Sequence, residues 1–365
     1  MKELLRDRIV DMTGRVAVSG YEWKLAAYVA DELKGYADDI RITPNGNLIV
    51  TVNGSCAGPD VLYGVHLDEV GYVIKSIDDN GFLYFGKIGG SSDNIIPGRK
   101  VIIKTEKGDV SGVIGVRSTH MLTEEEAKKM QTVNVSYVDI CAKDKEQAME
   151  WGIRSGCQMV IDSPCTPMKN PDYIVTKAAD CRALCAIIFE LIRHIDREKL
   201  AGKYYFVFTA MEEVTTAALR SVVEEINPDY CYILDTIPAG DVPDIRSTDN
   251  PIKLGAGPVA VLLQHNPRFH NYAVSHPALV KAVENVAADM HMDIQEFAFT
   301  GAFYSTDAAG AVNSGRGNAI MTIALPRRYS HSPTEVINLN DCLDVYRLVE
   351  KLVYTPVEME VGAWL

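Results

Sequence analysis

Carboxylates and histidines follow apolar stretches at several separate points of the chain. In the clearest case, an apolar run over residues 204–210 leads almost directly into the adjacent acids Glu212 and Glu213. An apolar run of this length without polar alternation is typical of a strand buried on both faces, as in a parallel sheet. Burying two carboxylates at the end of such a strand costs free energy unless a positive charge lies beside them. A metal ion would supply that charge.

The same kind of ending recurs elsewhere. Three further apolar stretches end in histidine or acid within a few residues, and one more acid stands at the start of a helical pattern. The residues with metal-ligand chemistry at these points are His66, Asp68, Asp180, Glu212, Glu213, Asp235 and His331. Because ligands gather at the carboxyl ends of strands in open α/β sheets, we expect these side chains to meet at one edge. Two histidines with several carboxylates and no thiolate suit zinc, cobalt or manganese.

Five such residues are enough to bind a pair of metal ions. One bridging carboxylate, with one terminal histidine and one terminal acid for each ion, makes five ligands and leaves open positions for water and substrate. Two ions about 3.5 Å apart polarise a carbonyl and lower the pKa of a shared water. Of Glu212 and Glu213, one can bind metal while the other takes a proton from that water. Asp68, two residues after His66, can accept the second imidazole N–H and fix the tautomer.

Each residue taken alone also has an ordinary structural explanation. A single buried histidine such as His66 usually has its hydrogen bonds satisfied within the core, and Asp180 alone is an ordinary helix N-cap. Asp235 can end any α/β strand, and His331 can be a loop residue. The recurrence of histidine and acid at four strand ends favours a metal site over these separate explanations. The remaining histidines lack such a context, so we assign structural roles to residues 120, 194, 265, 270, 276 and 291.

Composition restricts the class of protein. The chain has 365 residues, of which 47% are hydrophobic and 23% charged, as in a globular protein with a sizeable core. A formal net charge of -13 disfavours nucleic acid and anionic membranes as partners. Charges at residues 2–7 argue against a signal peptide, and no apolar run is long enough to span a membrane. Eight scattered cysteines without a CxxC pair predict reduced thiols in a cytoplasmic protein, and the spacing of Cys181 and Cys185 indicates one helix face.

The order of elements predicts an α/β fold. After two N-terminal helices, Asn45-Gly46 predicts a β-hairpin turn. Strands and helices alternate in the C-terminal half, which predicts a mixed, largely parallel sheet flanked by helices. In between, residues 73–162 contain short strands and two charged helices, without an obvious catalytic neighbour. We therefore predict a discontinuous catalytic domain of residues 1–72 and 163–365, interrupted by a small β-rich domain.

Motifs around the candidate ligands resemble the TET-type (tetrahedral) dinuclear metallo-aminopeptidases. That family includes glutamyl and deblocking aminopeptidases and some members labelled endoglucanases. The similarity runs from Ser19 to the last helix. The matching motifs are His66-Leu-Asp-Glu-Val-Gly, Lys177-Ala-Ala-Asp-Cys-Arg, Phe208-Thr-Ala-Met-Glu-Glu-Val, Leu234-Asp-Thr with Ala239-Gly-Asp, Ser305-Thr-Asp-Ala and Arg328-Tyr-Ser-His-Ser-Pro.

The resemblance implies a zinc-exopeptidase-like fold and two divalent ions per subunit, zinc or cobalt, with manganese as an alternative. It implies that Asp180 bridges the two ions. His66 and Asp235 would complete one site, and Glu213 and His331 would complete the other. The implied activity is the removal of N-terminal residues from short peptides.

The resemblance also implies roles around the metal site. Glu212 would act as general base and acid, Asp68 would orient His66, and Asp307 would be an acid near the substrate. Residues 73–162 would form a PDZ-like β-barrel that mediates dimer contacts, and dimers would assemble into a hollow tetrahedral dodecamer.

Two departures from the family pattern limit what the resemblance implies. Residues 215–218 read Thr-Thr-Ala-Ala where the family has a Gly-rich stretch beside the substrate, so the preferred N-terminal residue does not carry over. Cys181 stands where the family has Asp or Asn.

Three other functions compete with the exopeptidase. A polysaccharide hydrolase of the endoglucanase type would use two carboxylates but leaves His66 and His331 unexplained, and three tryptophans are few for stacking sugars. A metal-dependent deacylase would use the same metal site. A non-catalytic peptide-binding assembly has no use for Glu212 as a base.

Overall fold

The computed structural model describes residues 1–266, 271–299 and 304–359. Within these residues the α-helices are α1 (Lys2–Gly14), α2 (Trp23–Glu32), α3 (Glu124–Ala127), α4 (Lys145–Glu150), α5 (Ala179–His194), α6 (Ala217–Ile226), α7 (Pro277–Asp289), α8 (Ala308–Val312) and α9 (Leu339–Val353). The β-strands are β1 (Asp39–Ile42), β2 (Leu48–Asn53), β3 (Cys56–His66), β4 (Gly71–Ile77), β5 (Leu83–Ile88), β6 (Lys100–Thr105), β7 (Gly108–Ile114), β8 (Val138–Asp139), β9 (Gln158–Ile161), β10 (Thr166–Pro167), β11 (Tyr173–Thr176), β12 (Ala201–Thr209), β13 (Tyr230–Pro238), β14 (Val259–Asn266), β15 (Asn271–Val274), β16 (Gln295–Phe299), β17 (Ala319–Arg327) and β18 (Glu335–Asn338). None of the helices in this part of the chain is long and apolar enough to cross a membrane.

The main sheet is mixed, with a parallel centre. Its strand order is β1-β2-β12-β3-β13-β17-β14-β15, and β16 pairs with β14. Strands β12, β3, β13 and β17 run parallel, whereas the predicted β1-β2 hairpin and the β14-β15 pair are antiparallel. A separate small sheet consists of β10, β11 and β18. The predicted fold class, a mixed sheet flanked by helices, is confirmed.

Helices cover both faces of the sheet centre, which explains the unbroken apolar runs. Tyr204, Phe206 and Phe208 of β12 share a core with residues of α1, α5 and α9. Val207, on the opposite face of the same strand, packs with residues of α6 and α8. Because successive side chains of a strand point to opposite faces, both sets must be apolar. The buried stretches of β3, β12, β13 and β17 therefore carry charged side chains only within their last few residues.

Residues 71–161 contain a closed barrel with its own core. The barrel order is β4-β5-β8-β7-β6-β9, and Tyr72, Phe85 and Ile103 are among its buried side chains. The strands begin at Gly71, two residues before the predicted start of the insertion. The barrel also exposes apolar side chains, with Val116 61%, Met121 71% and Val135 67% accessible.

Candidate metal centre

The predicted ligands lie where the central parallel strands end. His66 is the last residue of β3 and pairs in register with Thr209, the last residue of β12. Asp235 lies near the end of the neighbouring β13, and Arg327 is the last residue of β17. Because these strands are parallel, their carboxyl ends bring the side chains to one edge of the sheet, as the sequence predicts.

Three predicted ligands and one cysteine form a first group. His66 Nε2 lies 3.1 Å from Asp180 Oδ1 and 3.7 Å from Asp235 Oδ1. The sulfur of Cys181 belongs to the same group, whose four donor atoms all lie within 4.8 Å of one another. All four side chains are buried. The i,i+4 spacing predicts only a helix-face role for Cys181, but the structure places its thiol beside the acids.

A second group shares Asp180 with the first. Its other members are Glu213 and His331, and His331 Nε2 lies 3.3 Å from both Asp180 Oδ2 and Glu213 Oε2. The two oxygens of Asp180 therefore face different groups, Oδ1 toward His66 and Oδ2 toward His331. A carboxylate has enough lone pairs to bind a cation through each oxygen.

Asp180 reaches both groups because the backbone around it is not helical. Ala178, just before α5, has a φ of 52°. Asp180 and Cys181 depart from helical φ/ψ inside the first turn of α5. An aspartate N-cap turns its carboxylate back toward the amides of its own helix. The Asp180 carboxylate instead faces His66, Arg327 and His331, so the N-cap explanation is wrong for this residue.

Asp68 connects His66 to the segment that carries the two glutamates. Its Oδ1 lies 3.3 Å from His66 Nδ1 and accepts a hydrogen bond from the amide of Glu212 at 3.0 Å. Its Oδ2 accepts from the Ser19 hydroxyl at 2.6 Å and from the Glu213 amide at 3.1 Å. Burial alone would raise the pKa of Asp68, but the interactions with His66, Ser19 and the Glu213 amide lower it. Asp68 therefore accepts hydrogen bonds from the backbone of both glutamates, and its carboxylate lies beside the His66 imidazole.

The two glutamates are partly buried and lie among other acids. Burial, together with Asp235, Asp307 and Glu213, raises the pKa of Glu212 well above its usual value, although His66 lowers it. Burial and Asp180 raise the pKa of Glu213 to about 8, against the lowering effect of His331.

Glu213 Oε1 is buried and has no hydrogen-bond partner among the described residues. Mutual repulsion of carboxylates and an unpaired carboxylate oxygen are both relieved when a divalent cation binds between the acids. The residues therefore fit one metal ion in each group.

A residue of the inserted barrel orients His331. His331 Nδ1 lies within hydrogen-bond distance of the carbonyl oxygen of Gly90, in the loop after β5. The His331 amide donates to Glu335 Oε1 at 2.8 Å. Burial lowers the pKa of His331, but Glu213 and Asp180 raise it more, to about 9. Through Gly90 the insertion therefore contacts a predicted ligand, although its sequence shows no catalytic neighbour. No side chain signals this contact, because a backbone carbonyl makes it.

Arg327 is the second component that the motifs do not predict. It is 4% exposed, and its guanidinium donates to Thr236 Oγ1 at 2.5 Å, to Glu335 Oε1 at 2.5 Å and to Asp180 Oδ2. The sequence signal was present, since an arginine at the end of an apolar strand needs a buried acid as partner.

A cavity of about 280 Å³ opens onto both groups, with Glu212 and Ser305 in its lining. Asp307, the predicted substrate acid, is 2% exposed, and its Oδ2 accepts from the Thr209 hydroxyl at 2.5 Å. Burial raises the pKa of Asp307 to about 7. Its substrate role stays a prediction. Of the histidines assigned structural roles, His270 lies outside the described residues.

Comparison with known families agrees with this geometry. The family described as M42 glutamyl aminopeptidase matches residues 46–348. The chain belongs to this family. Membership confirms the resemblance seen in the motifs and the predicted enzyme class, a hydrolase of peptide bonds.

Relatives of this M42 peptidase match it over nearly their full length. The lysyl aminopeptidase of Pyrococcus furiosus is 28% identical over 356 residues, 96% of each chain. An aminopeptidase of Desulfurococcus kamchatkensis has a structure similar at a TM-score of 0.90, with 27% identity over 98% of this chain and 96% of that one. The structure of the TET1 peptidase of Pyrococcus horikoshii is similar at a TM-score of 0.83, with 29% identity over 96% of this chain and 99% of that one. That peptidase can assemble into a tetrahedron or a large octahedral shell.

The contacts of Asp68 predict the effect of replacing it. Asp68 accepts hydrogen bonds from the Ser19 hydroxyl and from the amides of Glu212 and Glu213. Asp68→Asn replaces one of its two acceptor oxygens by an NH₂ group, so one amide of the glutamate segment loses its partner. We expect a loss of about 1–3 kcal/mol in the free energy of unfolding and an increase of about 10–100-fold in the metal dissociation constant. Urea unfolding and metal titration measure the two effects. Ser19→Ala is the control, because it removes one hydrogen bond and leaves both amides paired and the Asp68 carboxylate beside His66. Equal effects of the two substitutions on metal affinity would contradict the role given to Asp68.

Proposed function

We propose that this M42 peptidase uses two divalent metal ions to remove N-terminal residues from short peptides. The observation that carries the proposal is the pair of ligand groups that share Asp180. His66 and Asp235 would complete one metal site, and Glu213 and His331 would complete the other. A set of imidazoles and carboxylates supports zinc or cobalt, with manganese as an alternative.

When bound, the ions supply Lewis-acid chemistry, which polarises a carbonyl and lowers the pKa of water. The remaining roles fall to side chains of the chain. Glu212 lines the cavity beside both groups and would take a proton from the attacking water and pass it to the leaving amine. Asp68 would keep the His66 imidazole in the tautomer that leaves Nε2 free for metal.

An exopeptidase must also recognise a free α-amino group. Acids at the edge of the cavity can hold an ammonium, and an open metal position can take a neutral amine. The cavity of about 280 Å³ is near the lower limit for small-ligand pockets, which supports the end of a peptide as its occupant. Membership of a peptidase family favours this substrate over the polysaccharide of the alternative hypothesis.

We further propose that the barrel is a PDZ-like module that mediates dimer contacts, and that dimers assemble into a dodecamer. The assembly of the Pyrococcus horikoshii relative supports self-association. The exposed Val116, Met121 and Val135 support an apolar contact surface on the barrel. A cytoplasmic location is part of the same proposal, and it is supported by the eight free cysteines.

The adjacent glutamates are distinguished by parallel substitutions. Glu212→Gln should keep both metal ions but lower kcat by about 10²–10⁴-fold, because the base is gone while the ligands remain. Glu213→Gln should lower metal occupancy as well. Metal content by mass spectrometry, measured beside turnover of an aminoacyl substrate, separates the two. Equal metal loss in both variants would refute the division of roles.

Blocking the N-terminus of a substrate tests the exopeptidase proposal. Acetylating a good peptide substrate should lower its turnover by at least about tenfold, the equivalent of one lost charge-assisted hydrogen bond. Mass spectrometry of the products should show a ladder that shortens by one residue at a time. Internal fragments, or equal rates on blocked and free peptides, would indicate an endopeptidase or a deacylase instead.

Surface substitutions on the barrel test the assembly proposal. Val116→Asp with Val135→Asp places two charges in the proposed contact, so sedimentation velocity should show smaller particles. The matched control is Val116→Thr with Val135→Thr, which keeps the shape without the charge and should keep the large particle. Assembly unchanged by the aspartates would exclude this surface as the contact.

A further inference from the structure

A permanent positive charge lies inside the cluster of proposed metal ligands. The guanidinium of Arg327 donates its three nitrogens to three different buried groups, Thr236 Oγ1, Glu335 Oε1 and Asp180 Oδ2. Guanidinium does not lose its proton in proteins. The charge is therefore present under every condition in which the enzyme works.

The contact of Arg327 with Asp180 is asymmetric. Arg327 bonds to Oδ2, the oxygen that faces His331 and Glu213, whereas Oδ1 faces His66. The second group therefore shares its part of Asp180 with a cation that is already bound. The first group keeps Oδ1 and has Asp235 and the thiol of Cys181 in addition.

We propose that Arg327 makes the two metal sites unequal, with a tight site at His66, Asp180 and Asp235 and a weak, exchangeable site at Asp180, Glu213 and His331. This inference rests on the two-metal proposal. Two effects produce the difference: the guanidinium occupies a lone pair of Asp180 Oδ2, and its charge repels a second cation nearby. Glu335 offsets part of that charge, but it also holds the amides of Asp180 and His331 and so stays in place.

The consequence is a metal-dependent regulation of turnover. Over a range of free metal concentration the tight site is filled while the weak site is not. Activity that needs both ions would then follow the free metal concentration in that range. A purely structural role for Arg327, as the ion pair that holds Asp180 in position, predicts the opposite result when the arginine is replaced, since both sites would then weaken.

The test is calorimetric titration of the chelator-stripped full chain with Zn²⁺, together with the metal content retained after dialysis. Wild type should bind two ions in steps separated by at least about tenfold in affinity. Arg327→Gln should tighten the weaker step by at least about fivefold, because it removes the charge, and Arg327→Lys should keep the separation. The matched control is Arg328→Gln, since the adjacent Arg328 pairs with Asp241 and should not affect either step.

Assignment of the steps does not depend on the arginine variants. Glu213→Gln should remove the weaker step alone, and Asp235→Asn should weaken the tighter one. Two equal steps in wild type would overturn the inference even if Arg327→Gln failed to fold. A weaker second step in folded Arg327→Gln would overturn it as well. Absence of Zn²⁺ binding in wild type, with turnover insensitive to chelator, would instead sink the proposed two-metal function. Two equal steps with chelator-sensitive turnover would leave that function intact and remove only the unequal sites.

Discussion

Buried negative charge at one edge of the sheet is the constraint on which the rest of the site depends. Asp180, Glu212, Glu213 and Asp235 lie at or near this edge with little exposure to water. Burial, and then mutual repulsion, raise the pKa of most of these acids, so folding them together costs free energy unless cations offset it. Asp180 is the exception, because interactions with Arg327, His331 and His66 outweigh its burial and hold its pKa well below the usual value.

The same constraint explains which parts of the site can be predicted from the sequence. Strands covered by helices on both faces have unbroken apolar sequences. The first polar residues after such a sequence therefore indicate the edge of the sheet where the site lies. His66, Glu212, Glu213 and Asp235 are therefore visible as strand endings. Arg327 is visible as an unusual residue in the same place, but its partners cannot be identified, because Thr236, Glu335 and Asp180 reach it from three separate segments.

Asp180 shows where local pattern fails. Taken alone, its position before an apolar helical stretch is typical of an ordinary N-cap. Tertiary contacts decide otherwise. Ala178 adopts a left-handed conformation and the first turn of α5 is distorted, so that the carboxylate points to the strand ends instead of its own helix. The same distortion carries the thiol of Cys181 into the first ligand group, which no i,i+4 rule could indicate. Backbone held away from its preferred geometry is often found at functional sites.

The barrel is connected to this chemistry more closely than an independent inserted domain would be. Its core is separate, yet the Gly90 carbonyl contacts the imidazole of His331, and Ser92 lines the cavity. A ligand imidazole oriented by a backbone carbonyl depends on the position of the whole loop, since no side-chain rotamer can compensate for a shift. If barrels pack against one another in an assembly, the contact between subunits and the contact with His331 lie in the same inserted segment. Subunit contacts would then fix the position of the loop after β5, and with it the orientation of the proposed ligand His331. Assembly would in this way directly affect the geometry of the proposed metal centre.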